Sequence, residues 1–227
     1  MNKALVVAKI NLRRIRLAYF LTGLFFVMML SEYIVAIFVK NPDNTIVSAG
    51  NFFILLPLFA AIFIPAKNLR RIINLGGKRD DFFFGCIPVY AILSAAASLV
   101  ILLFYYTFDR FILNYISGVL DLIWVFGFIG RGPVVAFIQM TVFLMLFSVF
   151  IHTLTSIQDK WYGWVTDIMI VAIISVFTPI APLRAALVWF FRAIIFHQNA
   201  LFQITFCLLL SAAIYALNRP ILARKAI

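Results

Sequence analysis

The chain has 227 residues, 65% hydrophobic and 12% charged, with a formal net charge of +11. A soluble domain is about 45–50% apolar and roughly 25% charged, so these values, with a mean hydropathy of +1.10, exclude an ordinary soluble fold and point to an integral membrane protein. The cation excess fits Lys and Arg gathered on cytoplasmic loops, so no nucleic-acid partner is expected.

The first sixteen residues carry Lys3, Lys9, Arg13, Arg14 and Arg16. Ala4, Leu5, Ala8, Leu12 and Ile15 share one side of a helical wheel, and Val6, Ile10 and Leu17 form a second apolar stripe. Segment 1–16 therefore reads as an interfacial helix on an anionic leaflet or as a plain basic anchor before the first span. The run Leu17 to Val39 is longer than a signal-peptide core and lacks a clear small-residue cleavage site, so it reads as a retained transmembrane helix.

A spanning helix needs about 20 mostly apolar residues. Six segments qualify: 17–39, 50–66, 82–107, 133–154, 164–181 and 200–218. Pro179 and Pro182 should break the fifth near its outer end, because proline lacks a backbone donor and clashes with the preceding turn. With the N-terminus inside, fourteen of the nineteen Lys and Arg fall on the cytoplasmic side, which predicts a multi-pass protein of the cell membrane with both termini cytoplasmic. The stretch Phe111 to Gly130 is long and apolar, but Asn114, Asp121 and its glycines argue for an outer interfacial or re-entrant segment. Ala181 to Asn199 lacks turn residues and contains Arg184, Trp189 and Arg192, so it should lie in or dip into the outer leaflet. The expected fold is all-α and polytopic: one transmembrane domain over 1–227 with six transmembrane helices, an N-terminal interfacial helix, a short cytoplasmic helix in loop 67–80 and outer re-entrant helices at 181–199.

Few residues suit chemistry. The two histidines, His152 and His197, fall on opposite sides of the membrane, and no HExxH or other metal-ligand spacing occurs. Ser117 lacks the GxSxG elbow. No catalytic residue, bound metal or cofactor is expected on this chain. In "GGKRD", Ile72 stands where a phosphate loop needs its first glycine and Arg79 where it needs Ser or Thr, so ATP binding by this chain is not expected. Glu32 and Asp167 are acids within spans, and His152 is a third polar group there. A charge in hydrocarbon costs at least ~2.5–3.5 kcal/mol. Such groups either line an ion, proton or substrate path or are held by polar neighbours as packing elements.

The densest polar stretch is "NLGGKRDDFFF", Asn74 to Phe84. Before it, Leu69, Ile72 and Ile73 sit at i, i+3, i+4 and form an apolar helical face, with Arg70, Arg71 and Asn74 opposite. Gly76-Gly77 should end that helix through a left-handed cap. Asp80 and Asp81 should open the next, where acids meet the positive end of the helix dipole.

This layout resembles the permease subunits of bacterial ABC-2 type (type V) exporters. Their loop between spans two and three commonly reads "lGxsRxxff", matched here by "LGGKRDDFFF", Leu75 to Phe84, with Lys78 in place of the usual small residue. The resemblance also covers the basic N-terminal helix, six spans and hydrophobic outer helices. It implies a dimer with a second permease subunit, identical or related, around a central path. It also implies a separate cytoplasmic ABC ATPase, carrying ATP and Mg²⁺, docked on each coupling helix. On that resemblance Arg70, Arg71, Gly76, Gly77, Lys78, Arg79 and Asp80 form the coupling contact, and the exported substrate is an amphipathic or hydrophobic peptide, lipid or drug, with antimicrobial peptides among the cargoes of compact relatives. Two other readings remain open. One is the substrate-binding subunit of an energy-coupling factor importer, hinted at by Ala95-Ala96-Ala97. The other is a membrane assembly or sensor subunit without transport.

Overall fold

The computed structural model describes residues 3–39, 45–158 and 160–224. Within them the chain is a helical membrane-embedded bundle. Helix α1 (Lys3–Arg14) gives way at Ile15 to α2 (Arg16–Val39), whose 24 residues contain no proline. The short strand β1 (Thr45–Val47) follows. Ser48 then caps a 3₁₀ turn over Ala49–Ile54, its hydroxyl accepting from the Gly50 N–H at 3.2 Å. That turn runs into α3 (Leu55–Phe63). A widened π turn over Ile64–Asn68 carries the helix past Pro65, whose missing N–H interrupts the regular ladder. The helix resumes as α4 (Leu69–Asn74).

The segment expected as a separate short helix in loop 67–80 is thus the last part of the second long helix, which runs without a break from Ala49 to Asn74. The reason is local: Pro65 is absorbed by one wide turn, so the chain is not forced to stop at 66.

Helix α5 (Arg79–Tyr106) is the centre of the bundle. Its buried residues recur as Phe82, Cys86, Val89, Leu93, Ala97, Ile101 and Phe104, the three-and-four spacing of a helix buried along one stripe. Helices α1 and α8 (Pro133–Ile157) pack against it, and α11 (Ala200–Arg224) packs on α8. Pro133 starts α8 at a position where no N–H is needed.

Residues 111–130 form no continuous helix. They hold the end of α6 (Phe108–Ile112), strand β2 (Gly118–Leu120), α7 (Leu122–Val125) and a single 3₁₀ turn. Strands β1 and β2 pair in parallel, Thr45 opposite Gly118 and Val47 opposite Leu120, a small ladder that the helical reading of the sequence did not anticipate.

Among the described residues, five helices are long and apolar enough to cross a membrane: Arg16–Val39, Ala49–Asn74, Arg79–Ile112, Pro133–Ile157 and Ala200–Ala223. Helix α9 (Trp161–Phe177) and α10 (Ala181–Phe191, continued by a π turn to Phe196) pass that test only together, and they are bent by 117° where they join. Counting the pair as one span gives six. The bend falls at 178–180, next to Pro179 and Pro182. The faces of α2 and α9 are largely uncovered, with Phe20, Val27, Trp164 and Ile168 all more than 60% exposed.

Helix α1 does not rest loosely at the surface. Its buried face is Val7, Ala8 and Asn11, continued by Ile15, whereas Leu5, on the apolar side of the wheel, is 61% exposed. The stripe is rotated because polar Asn11 points inward, where it has hydrogen-bond partners.

Candidate functional site

One end of the bundle gathers α1, the α4–α5 turn and the end of α11; this is the basic end. The α4–α5 turn is closed by a full Schellman cap. The Gly77 N–H donates to the Ile72 carbonyl at 2.9 Å and the Gly76 N–H to the Ile73 carbonyl at 2.9 Å. Gly76 has φ +80°, a left-handed conformation that costs a side-chain-bearing residue roughly 1 kcal/mol or more. At Gly77 a Cβ would lie 2.6 Å from the Ile72 side chain, so both glycines are required by geometry. The Lys78 N–H then donates to Asp81 Oδ2 at 3.3 Å, half of a capping box at the start of α5.

The elbow's charged residues divide into two groups. Arg70, Arg71 and Lys78 are exposed to solvent. Arg79 and Asp80 are turned toward the last helix. The Arg79 guanidinium donates to the carbonyls of Leu222 (3.1 Å) and Ala223 at the end of α11, where a cation complements the helix dipole. Asp80 faces Arg219 with Nε to Oδ1 at 3.4 Å, an exposed pair of small energetic weight. The Tyr215 hydroxyl adds a bond to the Phe83 carbonyl at 2.6 Å, its ring stacked on that of Phe83.

Beneath the elbow lies a buried polar network. Asn68 Nδ2 donates to Asn11 Oδ1 at 3.0 Å, and Asn11 Nδ2 donates to the Cys86 sulfur at 3.6 Å. This joins α1, the π turn and α5. His152 is fully buried on α8, hydrogen-bonded through Nδ1 to the Tyr90 hydroxyl and packed near Phe82 and Tyr215. Its surroundings are those of a packing element joining α5, α8 and α11.

Asp167 on α9 accepts from Gln158 Nε2 at 2.6 Å, so it too is held by a polar neighbour. Glu32 is exposed on α2. The three polar residues therefore do not meet: Glu32 faces outward, Asp167 belongs to the α8–α9 junction and His152 to the core. Among the described residues no three His, Cys, Asp or Glu side chains gather as a metal site would require.

The opposite end holds a cluster that the sequence reading did not single out. Asp109, 2% exposed, accepts from the hydroxyls of Tyr33 and of Ser48 (2.8 Å). The Tyr33 oxygen in turn accepts from the Ala49 N–H at 3.1 Å. Asp121, 4% exposed, lies just before α7 on the outer segment. Asn51 donates to the Leu120 carbonyl at 2.7 Å and accepts from the Leu122 N–H at 3.0 Å. The only hint in the sequence is the placement of Asp109 and Asp121 between the third and fourth spans.

Comparison with protein-family models, with curated proteins and with solved structures finds no match to this chain.

Proposed function

We propose that the chain is the membrane-spanning permease subunit of an ATP-driven exporter, coupled through its basic elbow to a separate cytoplasmic ATPase. The observation that carries this reading is the elbow itself. Arg70, Arg71 and Lys78 are solvent-exposed on a turn that two glycines hold in one conformation. Arg79, Tyr215 and the Asn68–Asn11–Cys86 chain link that turn to α11 and α1. A push on the elbow would be passed to two other helices instead of bending a loose loop.

Under this reading ATP and Mg²⁺ are held by the ATPase, and both termini lie in the cytoplasm with the cationic end of the bundle. The apolar, uncovered faces of α2 and α9 suit lipid and a second permease subunit, identical or related. An aromatic-rich, apolar path between subunits suits an amphipathic or hydrophobic substrate, such as a peptide, lipid or drug.

The test is the double substitution Arg70→Glu and Arg71→Glu. Like charges placed across an interface cost several kcal/mol, so retention of the ATPase should fall at least about tenfold, with insertion and thermal stability unchanged. Undiminished ATPase binding and coupling would reject the assignment of the elbow. Arg79 is unsuitable as a probe, because its reversal breaks the internal bonds to Leu222 and Ala223.

A further inference from the structure

Helix α1 has two faces, and the bundle occupies one of them. Val7, Ala8, Asn11 and Ile15 are buried against it. On the opposite side of the helical wheel lie Leu5, Lys9, Arg13 and Arg16, all exposed. The three cations stand at i, i+4 and i+7, so they stack along a single outward face. Lys3 and Arg14 add two exposed cations on its flank. No acid occurs within the helix, Lys3–Arg14. Among the described residues none of these five cations forms an ion pair; the pair recorded is Arg219 with Asp80. Like charges at helical neighbour spacing repel, so this face lacks a counter-charge within the described part of the chain.

Two contacts set the depth of α1 in the membrane. Its C-terminal end is one residue, Ile15, from the start of the first span at Arg16. Its N-terminal half rests on Gly85, where a Cβ would lie 2.6 Å from Val7 Cγ1 and 2.9 Å from the Ala4 carbonyl oxygen. Gly85 is six residues beyond Arg79, the first residue of α5, or about 9 Å along that helix. Both ends of α1 therefore stand where a span leaves water, and the helix runs along the membrane boundary. At that level cations meet headgroups and an apolar side chain such as Leu5, 61% exposed, meets acyl carbon.

We propose that the outward face of α1 binds anionic phospholipid, with Lys9, Arg13 and Arg16 on the headgroup phosphates and Leu5 against the acyl chains. An acidic protein surface could match the charge, but it would leave Leu5 without an apolar neighbour. The lipid acts on the bundle through the other face of the same helix. Asn11 there is bonded to Asn68 and Cys86, so lipid held outside keeps α1 seated on the second long helix and on α5. This surface is independent of the transport reading.

The test is the lipid that stays with the full chain through gel filtration from micelles holding equal parts of phosphatidylglycerol and phosphatidylcholine, measured by mass spectrometry after extraction. Phosphatidylglycerol should be retained in preference. Each cation near an anionic surface is worth about fivefold. The triple variant Lys9→Gln, Arg13→Gln, Arg16→Gln should therefore retain at least about tenfold less of it, with phosphatidylcholine unchanged. The same charge removed at the elbow, by Arg70→Gln, Arg71→Gln and Lys78→Gln, should leave retention near that of the unsubstituted chain. Amide exchange of residues 3–14 should slow when phosphatidylglycerol is present, and not in the α1 variant. Salt gives a reading that needs no variant: retention should fall steeply between about 0.1 and 1 M, as the screening length shrinks from about 10 to about 3 Å. Four results would each overturn the proposal: no preference for phosphatidylglycerol, an equal loss in the elbow variant, retention or exchange indifferent to salt or lipid, and undiminished retention in the α1 variant. The last is the result expected if this face meets an acidic protein instead.

Discussion

Replacing Gly85 by valine is expected to detach helix α1 from the bundle. A Cβ at position 85 would lie 2.6 Å from Val7 Cγ1, 2.8 Å from Val7 Cβ and 2.9 Å from the Ala4 carbonyl oxygen. The last contact is backbone, so no side-chain rotation relieves it. Overpacking a tight contact costs about 1–3 kcal/mol. Here α1 must shift, and the shift takes Asn11 away from Asn68 and Cys86, each lost buried hydrogen bond costing roughly 1 kcal/mol or more. Because Asn11 touches Cys86, the substitution Asn11→Cys should allow a disulfide to Cys86 under mild oxidation. That cross-link should form readily when Gly85 is retained and largely fail when Gly85→Val is added. Equal cross-linking in both would mean that α1 is not seated by this contact.

Replacing Asp109 by alanine should be the most damaging single change at the other end. Two buried hydroxyls, those of Tyr33 and Ser48, would lose their acceptor together. A hydrogen bond to a charged group is worth about 1.5–3 kcal/mol, so a loss of about 2–5 kcal/mol is expected even with some relaxation. Thermal unfolding in detergent should show a large fall for Asp109→Ala and a smaller one for Asp109→Asn, whose carbonyl oxygen still accepts one hydroxyl. The ranking matters more than the size. If the two variants melt alike, the hydroxyl bonds contribute little.

The long helices were legible because each rests on an apolar run, and apolar runs of that length have few alternatives in a membrane. The turn at Gly76 and Gly77 was legible because two adjacent glycines after an apolar helical face satisfy a cap that other residues resist. Its internal contacts were not: Arg79 and Asp80 also lie against Leu222, Ala223 and Arg219, more than a hundred residues away. The same distance problem hid the face of α1. The wheel gives no sign that polar Asn11 is buried, because its partners Asn68 and Cys86 lie 57 and 75 residues further on. Asp109 escaped notice for a related reason. Its significance depends on Tyr33 and Ser48, which lie 76 and 61 residues away in sequence.

Of the seven residues of the proposed coupling contact, Arg70, Arg71, Lys78 and Asp80 are solvent-exposed. Gly76 and Gly77 would shape the contact, and Arg79 and Asp80 would pass its motion to α11.

The most direct measurement of the exporter reading is purification of the full-length tagged chain from its own cells in mild detergent, followed by assay of ATP hydrolysis and subunit stoichiometry. The account predicts a nucleotide-hydrolysing subunit retained at one per chain, and its loss in the Arg70→Glu, Arg71→Glu variant. A chain that purifies as a stable monomer, with no ATPase retained and no hydrolysis, would contradict it.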